Sequence, residues 1–135
     1  MEIIKRNTDY ALRSLVRLAQ AAPGKPVSVS YLADAEGIPL NFLQKIFRKF
    51  AEAGIVCSQR GAQGGYLLAK EPEDISILDI VEVMQGRPAI NQCYEQEEKC
   101  DRVEVCALKD AWRPLQESII GTLAALKLAD LVRKA

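Results

Sequence analysis

Cys93, Cys100 and Cys106 lie in one short acidic stretch of a 135-residue chain that has four cysteines and no histidine. Thiolates are soft ligands that hold iron-sulfur clusters, zinc or copper(I), and the same groups form disulfides or serve as redox switches. Without histidine there is no Ser-His or Cys-His catalytic pair and no ordinary general base near neutral pH, so enzymatic turnover is not expected. Residues 1–6 lack the apolar run of a signal peptide, and no segment approaches the ~20 apolar residues of a membrane span, so the expected setting is the cytoplasm, away from membranes. In that reducing compartment clustered cysteines favour metal ligation or redox sensing over structural bridges. Zinc binding, or a small thiol or iron-sulfur electron carrier, is a rival reading of the same thiols.

A second set of side chains carries different chemistry. Asn41, Gln44, Lys45 and Arg48 recur at spacings of three and four, which puts them on one helix face. Asn and Gln pair bidentately with adenine, and Lys or Arg reaches guanine or a phosphate. Such a stripe alone also describes an ordinary solvated face. Downstream, Arg60 adjoins Gly61-Ala62-Gln63-Gly64-Gly65. Glycines allow close backbone approach, and an arginine beside them can enter a narrow minor groove. No Gly-Lys-Ser/Thr follows, which argues against a nucleotide-hydrolysing phosphate loop. Lys5 and Gly64 join these residues as expected DNA contacts.

Charge separates the two chemistries. Residues 1–70 carry ten Lys/Arg against five Asp/Glu, residues 71–106 three against ten, and the remainder five against three. The basic half attracts phosphate, whereas the acidic segment around the cysteines, with Glu95, Glu97, Glu98, Asp101 and Glu104, repels it. The nucleic-acid face and the cysteine site are therefore expected on separate surfaces.

These groups need elements to position them. Leu12, Leu15, Val16 and Ala19 recur at helical spacing behind Asn7 or Thr8 as caps, and Ala22-Pro23-Gly24 stops that first helix. A second helix is expected over residues 31–36 with Ser30 as N-cap, turning at Gly37. Pro39 suits the first position of a third helix, whose Leu43, Ile46, Phe47 and Phe50 form an apolar stripe and which ends at Gly54. Helix, glycine turn and helix make a helix-turn-helix. Residues 55–60 and 66–70 read as two strands with the glycine-rich tip between them, a wing on which Cys57 is expected to be buried as a small hydrophobe. Ser76-Ile77-Leu78-Asp79 looks like a capping box for a fourth helix with Ile80, Val81 and Met84 on its apolar face, ending at Gly86 and packing beneath the wing.

After the cysteines, Leu108, Trp112, Leu115, Ile119, Leu123 and Leu126, with a second row of Ile120, Ala124 and Leu131, predict one long helix too apolar to stand alone. Pro114 is expected to kink it or to begin its main part. A homodimer through this helix would set two recognition helices toward successive major grooves about 34–36 Å apart; folding back on its own domain is the alternative. The expected architecture is mainly α with a small β-hairpin wing: a winged helix-turn-helix DNA-binding domain over 1–88, a cysteine-bearing loop over 89–106 and a C-terminal dimerisation helix over 107–135.

Thr8-Asp9-Tyr10-Ala11-Leu12-Arg13, Phe42-Leu43-Gln44-Lys45-Ile46-Phe47 and Arg60-Gly61-Ala62-Gln63-Gly64-Gly65-Tyr66-Leu67-Leu68 together resemble the opening helix, recognition helix and wing of the winged-helix regulators of the IscR, NsrR and RirA group, the Rrf-two type. The resemblance runs almost end to end, and the wing string is its most specific part. It implies a dimeric bacterial transcription factor that binds imperfect palindromes in double-stranded promoter DNA with the wing arginine in the minor groove. It also implies that Cys93, Cys100 and Cys106 hold an iron-sulfur cluster, 4Fe-4S or 2Fe-2S. The histidine of IscR-like members is absent, since Ala107, Leu108 and Lys109 follow Cys106. NsrR-like members complete the set with an aspartate of the partner subunit, and Asp9 occupies that position; alternatively Asp9 only stabilises the first turn of its helix. The expectation is a cytoplasmic homodimeric regulator, a repressor, whose operator affinity follows a cluster that senses redox state, nitric oxide or iron status. Cluster-free relatives such as CymR, which answer to a protein partner, are the alternative within the fold.

Overall fold

The computed structural model describes residues 2–134. Its first helix, α1 (Arg6–Ala19), starts earlier than the predicted caps: Lys5 is the N-cap and bonds through no side chain. The helix start is fixed from outside instead. Gln85 Oε1 accepts the Lys5 N–H at 3.0 Å and the buried Thr8 hydroxyl at 2.7 Å, while Gln85 Nε2 donates to the Ile3 carbonyl at 2.8 Å. Asn7 and Thr8 therefore lie within the helix, and Ala11, Leu15 and Leu18 face the core.

The second helix, α2 (Val29–Glu36), also begins before the predicted Ser30, because Ser28 accepts the Tyr31 N–H at 3.2 Å and caps it. Gly37, at φ 66°, makes the left-handed turn that an L side chain resists. Pro39 is the N-cap of α3 (Leu40–Glu52) and not its first residue. Leu43, Ile46, Phe47 and Phe50 are buried as the stripe predicts. Phe47 meets Phe50 edge to face at 5.7 Å and Tyr66 at 5.1 Å, so the hairpin is packed directly onto α3.

Strands β1 (Val56–Gln59) and β2 (Gly65–Leu68) pair antiparallel, with Val56 opposite Leu68 and Gln59 opposite Gly65. Val27 bridges to the other edge of β2: its N–H donates to the Tyr66 carbonyl at 3.0 Å and the Tyr66 N–H donates back at 2.8 Å. Gly65 is required there, since a Cβ would lie 2.3 Å from the Val27 carbonyl oxygen, and one on Gly64 would lie 2.4 Å from that of Gln59. Cys57 is exposed, a correction to the expected burial: β1 buries Val56 alone, and alternation turns the next side chain outward.

Helix α4 (Ile77–Gln85) opens on the predicted capping box, Ser76 and Asp79 each accepting the other's N–H at 3.0 Å. It packs chiefly on α1 and on α6 (Ala107–Ala125), not beneath the wing. Its apolar Ile77, Ile80 and Val81 are matched by α1, and the Gln85 bonds hold that pairing in register. Pro114 lies inside α6 on its exposed side, where the carbonyl it leaves without a donor can meet water.

The predicted single C-terminal helix is two. Leu126 is extended, its carbonyl accepts the Ile77 N–H at 2.8 Å, and the Leu128 N–H donates to the Ile75 carbonyl at 2.9 Å. This strand-like crossing breaks the helix, and α7 (Leu128–Lys134) returns to pack on α1 and on the 3-10 turn Pro72–Asp74, with Leu128 wholly buried. The folding-back alternative thus holds for α7 and Leu131, whereas α6 leaves Leu108, Trp112 and Leu115 exposed.

Candidate nucleic-acid interface and metal centre

Asn41, Gln44, Lys45 and Arg48 are all exposed on α3, opposite its buried stripe. Arg48 Nε donates to the Gln44 carbonyl at 3.4 Å, and no ion pair ties down Lys45 or Arg48 among the described residues. The stripe is thus free to meet a ligand. Arg60 stands exposed at the wing tip, beside Gly61 at φ 121°. Gly64 also approaches the wing's own backbone closely and closes the turn that presents Arg60. Lys5 is exposed but anchored through its amide at the corner of α1 and α4. The composition missed Leu40 and Phe42, two large apolar side chains left 40% and 45% exposed in the first turn of the same helix.

Two ion pairs connect α1 to the helix-turn-helix. Glu36, the last residue of α2, receives Arg13 Nε at 3.2 Å and Arg17 Nε at 2.6 Å, and Arg13 also donates to the Glu36 carbonyl. The Glu36 carboxylate, by hydrogen bond and charge, holds the Arg17 guanidinium above its usual pKa. Asp9 is exposed one turn before Arg13 and shares with it, Val16 and Leu131 a shallow groove on this face.

The cysteine loop is built from short turns. Asn91 caps α5 (Gln92–Glu95) by accepting the Cys93 N–H at 3.1 Å; Cys100 ends the 3-10 turn Glu97–Lys99, and Cys106 is the N-cap of α6. All three thiols are free and half-buried. Tyr94 donates its hydroxyl to the Lys109 carbonyl at 2.6 Å, and the Lys109 ammonium pairs with Glu97, a bond that raises its pKa. At the loop's start, buried Gln116 accepts the Ile90 N–H at 3.0 Å and donates to the Pro88 carbonyl at 2.8 Å. These bonds fasten the first half of the loop to α6, into which its far end runs at Cys106.

As donors the three thiolates suit an iron-sulfur cluster. Their positions in one protomer do not yet make a centre: among the described residues no three Cys, Asp or Glu side chains are gathered to hold a metal. Asp9 lies on the α1 groove, which no cysteine lines.

A helix-turn-helix whose second helix packs against a hairpin, with a free polar face beside an exposed wing arginine, defines a winged-helix DNA-binding protein. A family model described as "Iron-dependent Transcriptional regulator" matches residues 4–134. Protein rrf2 of Nitratidesulfovibrio vulgaris is 34% identical over 126 residues, 93% of this chain and 84% of that one. The HTH-type transcriptional regulator IscR of Serratia proteamaculans is 30% identical over 123 residues, covering 91% and 74%. Among solved structures, T. potens IscR superposes with a TM-score of 0.78 at 30% identity over 97% of this chain and 86% of that one. CymR, the global cysteine regulator of B. subtilis, superposes at 0.83 with 26% identity, covering 100% and 99%. The chain belongs to the Rrf2 family of iron-dependent transcriptional regulators. It is a DNA-binding regulator of transcription, as its relatives are, and not an enzyme. No described helix is long and apolar enough to cross a membrane.

Proposed function

We propose that this protein is a cytoplasmic homodimeric repressor whose affinity for double-stranded promoter DNA follows an iron-sulfur cluster held by Cys93, Cys100 and Cys106, with Asp9 of the partner subunit as fourth ligand. The observation that carries the reading is the set of three free, half-buried thiols on a loop fastened to α6, the third of them capping that helix. When bound, the cluster supplies a centre that oxidants, nitric oxide or iron shortage can destroy.

The remaining roles belong to the chain's own residues. Cys106 is the N-cap of α6, so ligation of its thiolate would bear on the start of that helix. Asp9 sits one turn from Arg13, which with Arg17 binds the end of α2, so ligation at Asp9 would be felt at the helix-turn-helix. On the DNA, Asn41, Gln44, Lys45 and Arg48 would meet the major groove, Arg60 the minor groove, and Lys5 a phosphate, with Gly64 shaping the wing. The exposed Leu108, Trp112 and Leu115 of α6 are the apolar surface through which two subunits would join.

The test is anaerobic purification followed by DNA binding with the cluster intact and after chelation. Stoichiometric iron and sulfide with a changed operator affinity supports the reading. Equal affinity in both states ends the sensing account. The second reading, a cluster-free regulator, is favoured by the ungathered thiols and the likeness to CymR; a protein that takes up no iron and sulfide on reconstitution, yet binds DNA, is its signature.

A further inference from the structure

We infer that Leu40 and Phe42 are specificity-determining residues that read thymine methyl groups, so that each operator half-site carries A·T pairs beneath the first turn of α3. This rests on the reading of α3 as the helix that enters the major groove.

The first turn of a recognition helix is the part that meets base edges. Here that turn carries Leu40, Asn41 and Phe42, with Gln44 following. Leu40 and Phe42 flank Asn41 on its two sides, at the borders of the exposed face. Both remain 40% or more exposed, although the same helix buries Leu43, Ile46, Phe47 and Phe50 nearly completely. Large side chains left uncovered beside polar readers lack a partner within the protomer, and the surface they adjoin is the one assigned to DNA.

The apolar feature of the major-groove floor is the C5-methyl of thymine, and phenylalanine is among the side chains that contact it. Asn and Gln, the polar readers in the same stretch, pair bidentately with adenine. Four neighbouring residues thus carry chemistry for the two bases of one pair. The cationic Lys45 and Arg48 come later in the helix and are suited to guanine or phosphate. Exposed Phe42 and Leu40 contribute little to the protein's own core, so truncating them leaves the fold in place.

The experiment uses the full chain, with cluster supplied and with cluster removed, to enrich binding duplexes from a random pool. The best half-site is then resynthesised with uracil replacing thymine, which deletes only the C5-methyl. Wild-type protein is expected to lose about fourfold in affinity per contacted methyl, the worth of one buried methyl-sized group. A Leu40→Ala, Phe42→Ala double variant is expected to bind thymine and uracil duplexes alike while its circular dichroism stays that of the wild type. Equal binding of both duplexes by the wild type overturns the inference and leaves DNA binding untouched. A uracil effect undiminished in the double variant also overturns it, because the methyl would then act through duplex shape. Failure to enrich any duplex in either state removes the α3 reading together with this one.

Discussion

Arg17 and Glu36 form a pair in which Nε lies 2.6 Å from the carboxylate, and Arg13 closes on the same carboxylate at 3.2 Å. One acid at the end of α2 thereby fixes two turns of α1. The arginines are partly exposed, so screening by solvent leaves each pair only a modest contribution. Glu36→Ala is expected to lower stability by about 1 kcal/mol in urea unfolding at low salt, and by less at high salt. A loss that salt does not reduce would mean that packing, and not charge, joins the helices.

The thiol assignment separates the four cysteines. Cys93→Ser, Cys100→Ser and Cys106→Ser should each purify without stoichiometric iron and sulfide, whereas Cys57→Ser, on the wing, should match the wild type. Asp9→Ala should retain the thiolate ligands and hold the cluster less firmly, measured as faster bleaching by a chelator. Iron retention unchanged in Cys106→Ser would remove the N-cap thiol from the ligand set.

The wing offers two contrasting substitutions. Arg60→Ala touches no hydrogen bond or ion pair among the described residues and should cost about 1–3 kcal/mol of operator binding with the melting temperature unchanged. Gly64→Ala instead drives a Cβ against the Gln59 carbonyl at 2.4 Å, and should destabilise the fold by about 1–3 kcal/mol as well as weaken binding. Thermal unfolding alongside DNA titration distinguishes them.

For the dimer, Trp112→Glu with Leu115→Glu places charge on the uncovered side of α6 without entering the core. Sedimentation should report a shift from dimer to monomer with helicity retained. A dimer that persists would move the subunit contact off this surface.

Gln116 provides a fifth test. Its side chain is the hydrogen-bond partner of both the Ile90 N–H and the Pro88 carbonyl, so Gln116→Leu leaves two backbone groups unsatisfied, at about 1–3 kcal/mol each where no water reaches them. Faster amide exchange over residues 88–106 than in the wild type is the expected signature.

The recognition helix was legible because its buried Leu43, Ile46, Phe47 and Phe50 and its polar Asn41, Gln44, Lys45 and Arg48 obey one period, and glycine turns bracket it. The capping box at Ser76 was legible for the same local reason. Starts of α1 and α2 were misread because Gln85, far along the chain, and Ser28, outside the apolar pattern, satisfy their amides. The break after Ala125 was hidden likewise: Leu126 and Leu131 continue a helical apolar rhythm, and only the bonds to Ile75 and Ile77 end the helix. Cys57 misled because cysteine is commonly buried, while the edge of a two-stranded wing has only one covered side. Thiol spacing gave the candidate ligands but carries no information on a donor supplied from outside the protomer.

The crossing at Lys127 fixes one end of α6. Nineteen residues give it a length of about 28 Å, and its far end carries Cys106. Leu126 and Leu128 are pinned to Ile77 and Ile75, so this end of α6 is held to the start of α4, while Gln116 ties its middle to Pro88 and Ile90. The start of α4 is thus tied to both sides of the crossing, and a glycine inserted there would be expected to loosen α7 from the 3-10 turn it covers.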